Sequence, residues 1–201
     1  LGHGIVASQL VPKLVTALAH EKVVGVAAGV NMSFCVTADG RAFSWGEGYA
    51  GQLGYEAERG YVVAPQRIAA LTGRRVVRVA AHGKHTLMVT ADGAVFSCGA
   101  NTYGALGHGD CVGRSNPTHV SALAAHRVVG VTGGSGLTCN AANDGDGFSM
   151  AITDGGQVFH WGVRIEDFSP WDVEEDDNYD EDNDVAPEQH LDRPLLLRCQ
   201  L

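Results

Sequence analysis

Short apolar runs separated by glycine-rich turns make up most of this chain, and they recur. Val23-Val24-Gly25-Val26-Ala27-Ala28 is a β-branched run that stops at Gly29. Ser33-Phe34-Cys35-Val36-Thr37 is a second run, and Arg41-Ala42-Phe43-Ser44-Trp45 a third, closed by Gly46. Runs of this kind, bounded by Gly, Asp and Pro and lacking the apolar period of a helix, predict strands. Asp39-Gly40 between the second and third runs predicts a hairpin with a type I′ turn. Pro65 is expected to open a short fourth strand, because proline is tolerated at a strand start.

The same pattern returns at an offset of 53 residues. Val23 stands against Val76, Asp39 against Asp92, Trp45 against Cys98 and Leu53 against Leu106, without a gap as far as His108. A third copy begins at Val128 and includes Gln157-Val158-Phe159-His160-Trp161-Gly162. The expected organisation is the tail of a preceding repeat over 1–22, a first repeat over 23–71, a second over 76–123 and a third over 128–201. The third carries insertions at 135–147 and 163–193, and Pro194-Leu195-Leu196-Leu197 returns to register as its last strand. The positions expected to shape the blades are Asp39, Gly40, Trp45, Gly46, Gly51, Leu53 and Gly54 in the first repeat. Their counterparts are Asp92, Gly93, Gly99, Gly104, Leu106 and Gly107 in the second, and Trp161 and Gly162 in the third. One such four-stranded sheet cannot bury both faces alone, whereas radial stacking buries a continuous core. The predicted fold is therefore all-β: a β-propeller built from four-stranded blades, present here as about three full repeats plus partial ones.

Val-x-x-Val-Ala-Ala-Gly, Ser or Thr in an apolar strand, Asp-Gly, Trp-Gly and Gly51-Gln52-Leu53-Gly54 together resemble the repeat of the regulator of chromosome condensation family. The resemblance covers nearly the whole chain outside the two insertions. It implies a seven-bladed propeller, so these residues are expected to be an arc of one. Further repeats of the same polypeptide, or a partner, are expected to cover its open edges. The resemblance also implies a range of functions, since fold alone does not fix activity. The leading expectation is a non-enzymatic protein-interaction scaffold. The alternatives are a guanine-nucleotide exchange factor for a small Ran-like GTPase, and the substrate-recognition propeller of a larger enzyme such as a ubiquitin ligase. An ultraviolet photoreceptor is not expected, because Gly83-Lys84-His85-Thr86 lacks the tryptophan of that Gly-Trp-Arg-His-Thr pattern.

Charge changes this picture in one place. The net charge is −9. Thirteen Asp and Glu, with no Lys or Arg, fall between Ile165 and Asp192, and the remainder carries an excess of basic residues. The candidate partner-binding residues are Trp171, Asp172, Glu174, Glu175, Asp176, Asp177, Tyr179, Asp180, Glu181 and Asp182, an acidic segment with two aromatic anchors suited to a basic protein. Five cysteines without a Cys-x-x-Cys predict neither a disulfide framework nor a zinc site, and Cys35 and Cys98 are expected to act as small buried hydrophobes. No catalytic constellation, cofactor motif or metal loop stands out. Dispersed positive charge argues against direct nucleic-acid binding, and no apolar run reaches the ~20 residues of a membrane helix. The opening residues lack a secretory pattern, and an intracellular location is expected, in cytoplasm or nucleus, with an organelle or cilium as alternatives. His85 is expected to make a structural hydrogen bond within its blade.

Overall fold

The computed structural model describes residues 1–58, 60–135 and 147–162. These residues form three antiparallel sheets that pack in series. The first contains β1 (Val23–Ala28), β2 (Met32–Thr37), β3 (Ala42–Glu47) and β4 (Tyr61–Arg67), hydrogen-bonded in chain order. The second repeats this with β5 (Val76–His82), β6 (His85–Thr90), β7 (Val95–Gly99) and β8 (Arg114–His119). The third pairs β9 (Val128–Ser135), β10 (Gly147–Thr153) and β11 (Val158–Gly162). Ser135 and Gly147 pair with each other. The proposed last strand at 194–197 lies outside the described residues.

Each meander places an alternating face against the next sheet. Met32, Phe34 and Val36 of β2 join Ala81, Met88, Phe96 and Cys98 of the second sheet in one core cluster. Val89 and Val95 join Val128 and Ala151 across the next seam. Short 3-10 turns at Ala69–Leu71 and Ser121–Leu123 lead from one sheet to the next and bury Leu71 and Leu123.

The links are hooked into the hairpins of the sheets on either side of them. Val76 N donates to Gly40 O, Ala91 N to Arg75 O, and Arg75 Nη2 to Ala38 O. The same set recurs one repeat on: Val128 N to Gly93 O, Asp154 N to Arg127 O, and Arg127 Nη2 to Ala91 O. One rim of the arc therefore carries both the Asp-Gly hairpins and the links between sheets. The β1–β2 and β3–β4 connections, and their counterparts, lie on the opposite rim.

Two local expectations change. The hairpins close through three residues, not a two-residue type I′ turn: Thr37 N donates to Arg41 O and Gly40 N to Thr37 O. Gly40 takes the left-handed region at φ 88°, as three-residue hairpin loops require. The Thr37 hydroxyl donates to Asp39, which gives Asp a reason to precede the glycine. Pro65 lies inside β4 and does not open it. β4 is an outer strand, and its pairing with β3 is irregular between Ser44 and Gly46, so no ladder bond is required of the proline nitrogen.

Candidate functional site

The seams between sheets use polar side chains as well as apolar ones. Ser149 Oγ donates to Ala105 O at 2.8 Å, and Trp161 Nε1 donates to the same oxygen at 2.8 Å. Ala105 belongs to the preceding repeat, directly ahead of Leu106-Gly107. One repeat back, Thr86 Oγ1 donates to Gln52 O at 2.8 Å, and Cys98 Sγ lies 3.7 Å from that oxygen. Trp161 and Cys98 are thus the same position, and both address the carbonyl ahead of Leu-Gly. Because Ser149 spends its proton on Ala105, His85 Nε2 donates to Ser149 Oγ, at 3.1 Å. The His85 bond runs across the seam to the next sheet and not within its own blade. Burial and the neighbouring His82 hold His85 at about 4, so the ring is neutral near pH 7.

Within the sheets the pattern continues. Ser44 Oγ donates to Leu53 O and Ser97 Oγ to Leu106 O. Tyr55 OH donates to Ser44 O, and His108 Nε2 donates to Ser97 Oγ at 2.9 Å. These Ser–His contacts sit where the serine proton already has a backbone acceptor, so they brace turns and do not activate a nucleophile. Burial raises the Cys35 and Cys98 thiols to about 11 and about 12, which keeps both as protonated, unreactive packing groups.

The rim opposite the links carries the accessible surface chemistry. Tyr49 is exposed there, with its ring over Gly60. In the second repeat the corresponding loop is braced by buried Asn101. Its Nδ2 donates to Asp110 O and Val112 O, and its Oδ1 accepts from Leu106 N. Arg114 grips Asp110 with both terminal nitrogens, which with the Val112 amide holds that carboxyl well below the usual range. On the link rim, Arg41, Arg67, Arg74 and Arg75 line one cavity of about 220 Å³. Arg67, Arg74 and Arg75 come from the end of β4 and the link after it, and the fold brings Arg41 of the hairpin beside them. Arg41 is bound by Glu21 and Asp39, and Arg74 stacks on Phe96 at 4.7 Å.

The structure places the repeat positions as follows. Leu53 and Leu106 are fully buried, Trp45 is buried and Trp161 half-buried. Gly46 near the end of β3, and Gly99 and Gly162 at the ends of β7 and β11, take the left-handed region where the backbone of the neighbouring strand comes close. Asp39 and Asp92 take the Thr37 and Thr90 hydroxyls at the hairpins. Gly51, Gly54, Gly104 and Gly107 are left-handed turn glycines on the rim opposite the links. The acidic residues from Asp172 to Asp182, with Trp171 and Tyr179, lie outside the described residues. Among the described residues no group of three His, Cys, Asp or Glu is placed to hold a metal.

The regulator of chromosome condensation (RCC1) repeat matches residues 1–36, 39–89 and 92–140. Human E3 ubiquitin-protein ligase HERC2 is 36% identical over 165 residues, which cover 81% of this chain and 3% of the ligase. The Arabidopsis thaliana ultraviolet-B receptor UVR8 is 32% identical over 162 residues, 81% of this chain and 34% of the receptor. The chain therefore spans only a small part of HERC2 and about a third of UVR8. Among solved structures, Prp20p of Saccharomyces cerevisiae superposes with a TM-score of 0.57 at 25% identity, over 70% of this chain and 33% of that one. With repeated sheets, recurrent seam bonds and a family match over most of its length, this chain belongs to the regulator of chromosome condensation (RCC1) repeat family of β-propellers.

Proposed function

We propose that this chain is a non-enzymatic protein-interaction platform, an arc of a larger propeller that presents the rim opposite the links to a protein partner. One observation carries the reading. The strands that flank both departures from the repeat, Ser135 with Gly147 and then Gly162, end on the rim where Tyr49 is exposed. The seam polar groups, by contrast, are committed to holding sheets together. On this reading the acidic segment, Asp172 to Asp182 with Trp171 and Tyr179, docks a basic protein, with charge setting the approach and the aromatics the anchor. Prp20p supplies a precedent for the partner class, since its reported binding is to Gsp1p and histones.

Core histones are a suitable basic probe. Replacing Asp172, Glu174, Glu175, Asp176 and Asp177 with Asn or Gln should slow histone association by about tenfold at low salt and flatten its salt dependence. Thermal stability should stay unchanged. Equal association rates and equal salt responses for the two proteins would sink the docking role.

A second reading makes this stretch the substrate-recognition propeller of a ubiquitin ligase, and the similarity to HERC2 favours it. A third, exchange on a Ran-like GTPase, needs tighter binding of the nucleotide-free state. Accelerated release of labelled GDP from such a GTPase would support the third reading over the platform.

A further inference from the structure

The two seams are built alike, yet on the link rim the first carries arginines that the second does without. Arg67 pairs with Phe43 in the β3–β4 ladder, as His119 pairs with Phe96 in the β7–β8 ladder. Arg74 lies over the Phe96 ring at 4.7 Å, and His126 stacks on Phe159 at 4.7 Å. Arg41, directly ahead of β3, corresponds to Ala94, directly ahead of β7. Only Arg75 has an arginine counterpart, Arg127, and each donates to a hairpin carbonyl of the preceding sheet. The second seam shows that a link is sewn with that one arginine. The fold therefore does not demand arginine at 41, 67 or 74.

These three and Arg75 surround one cavity of about 220 Å³, whose lining includes a single carboxylate, Asp39. The guanidinium groups are held from behind. Arg74 rests on Phe96, and Arg75 donates to Ala38 O with its stem against Gly40. Arg41 gives Nε to Asp39 and one N–H of each terminal nitrogen to Glu21, which leaves the second N–H on each terminal nitrogen. Positioned forks with unspent N–H groups suit a tetrahedral anion, which accepts several parallel N–H bonds at once. Size and sign narrow the ligand. The cavity is smaller than the roughly 300–1,000 Å³ of pockets that enclose a whole small molecule, so it suits a phosphoryl group on a side chain. Asp39 and Glu21 stand beside it and repel the further phosphates of a nucleic-acid backbone.

We propose that this cavity binds the phosphoryl group of a phosphoserine or phosphothreonine on a partner protein. Arg67 and Arg74 supply the forks, and Arg41 and Arg75, each already part-committed, close the margin. A phosphoryl group brings a charge of about −1.5 to −2 and three acceptor oxygens, against one charge and two oxygens for a carboxylate. One modification of the partner therefore switches the contact on. The cavity lies on the link rim, away from the surface assigned to the platform.

The test uses three peptide pools with randomised flanks around a fixed phosphoserine, serine or aspartate, read by fluorescence polarisation at pH 7.5. The phosphoserine pool should bind tighter than either other pool by about tenfold or more. Arg67→His with Arg74→His gives this cavity the residues of the second seam and keeps a ring on Phe96. It should weaken phosphoserine binding by about tenfold or more, with an unchanged thermal midpoint. If that variant fails to fold, Arg67→Ala alone, at an exposed position, carries the same expectation. Equal binding of the phosphoserine and serine pools overturns the proposal, as does equal phosphoserine binding by the folded variant. An aspartate pool that matches phosphoserine overturns it in favour of an acidic peptide. Displacement of the phosphoserine pool by inorganic phosphate or a single-stranded oligonucleotide, at equal phosphate concentration, overturns it in favour of a free anion or a nucleic acid. Histone association reads the acidic segment, so this site and the platform fail separately.

Discussion

At Gly46 an added Cβ would lie 2.2 Å from the Asn31 carbonyl oxygen, at a φ of 107°. At Gly104 the φ is 74° and nothing lies within 4 Å of the same atom. Two left-handed glycines thus have different reasons to be glycine, and substitution separates them. Gly104→Ala should cost about 1–2 kcal/mol, the conformational term alone. Gly46→Ala should cost about 3 kcal/mol or more, because β2 must move away. Urea unfolding of the two variants measures the gap. His85 gives a second residue-scale expectation. Its folded value, near 4, lies below the ordinary 6.5. The folded state therefore favours the neutral ring, and protons bind preferentially to the unfolded chain. This contribution is complete above about pH 6.5 and is lost as pH falls toward 4, by about 3 kcal/mol. Carboxylates titrate in the same range, so the informative quantity is a difference. The loss in stability between pH 7 and pH 4.5 should be shallower in His85→Gln than in the unsubstituted protein.

At the scale of elements, strands and hairpins were legible because each announces itself locally. Val-Val-x-Val runs, Asp-Gly pairs and Trp-Gly ends map onto β1 to β11 with shifts of a residue or two, apart from β4, which begins at Tyr61. What stayed hidden depends on contacts between sheets. Nothing local to Cys98 or Trp161 says that both point to a carbonyl one repeat earlier. Arg75 and Arg127 each reach back to the carbonyl ahead of the Asp-Gly pair in the preceding hairpin. Alignment of the repeats could have found them, since both occupy the position just before the first strand. The arginine cavity was invisible for a different reason. Arg41 precedes Arg67, Arg74 and Arg75 by a whole strand and loop, and only the folded hairpin brings it beside them.

For the whole molecule, series packing means that a position is worth what its neighbouring sheet makes of it. Val89 is buried in the seam between the second and third sheets, and Ile152 is its exposed counterpart in the third. Val89→Ala should therefore cost about 2 kcal/mol and Ile152→Ala about 0.5 kcal/mol, although the larger side chain is removed from the second site. Parallel thermal melts would show the contrast, and equal losses would contradict a seam-by-seam stability. The hooked links have a consequence for how such a chain can diversify. Lengthening a hairpin on the link rim by even one residue would draw Gly40 O off Val76 N and tilt every later sheet. A loop on the other rim closes only on itself, at a cost that grows with the logarithm of its length. New sequence can therefore be spliced in on one side of the arc while the other stays sewn, so lineages of this repeat can acquire new partners without relearning how to fold.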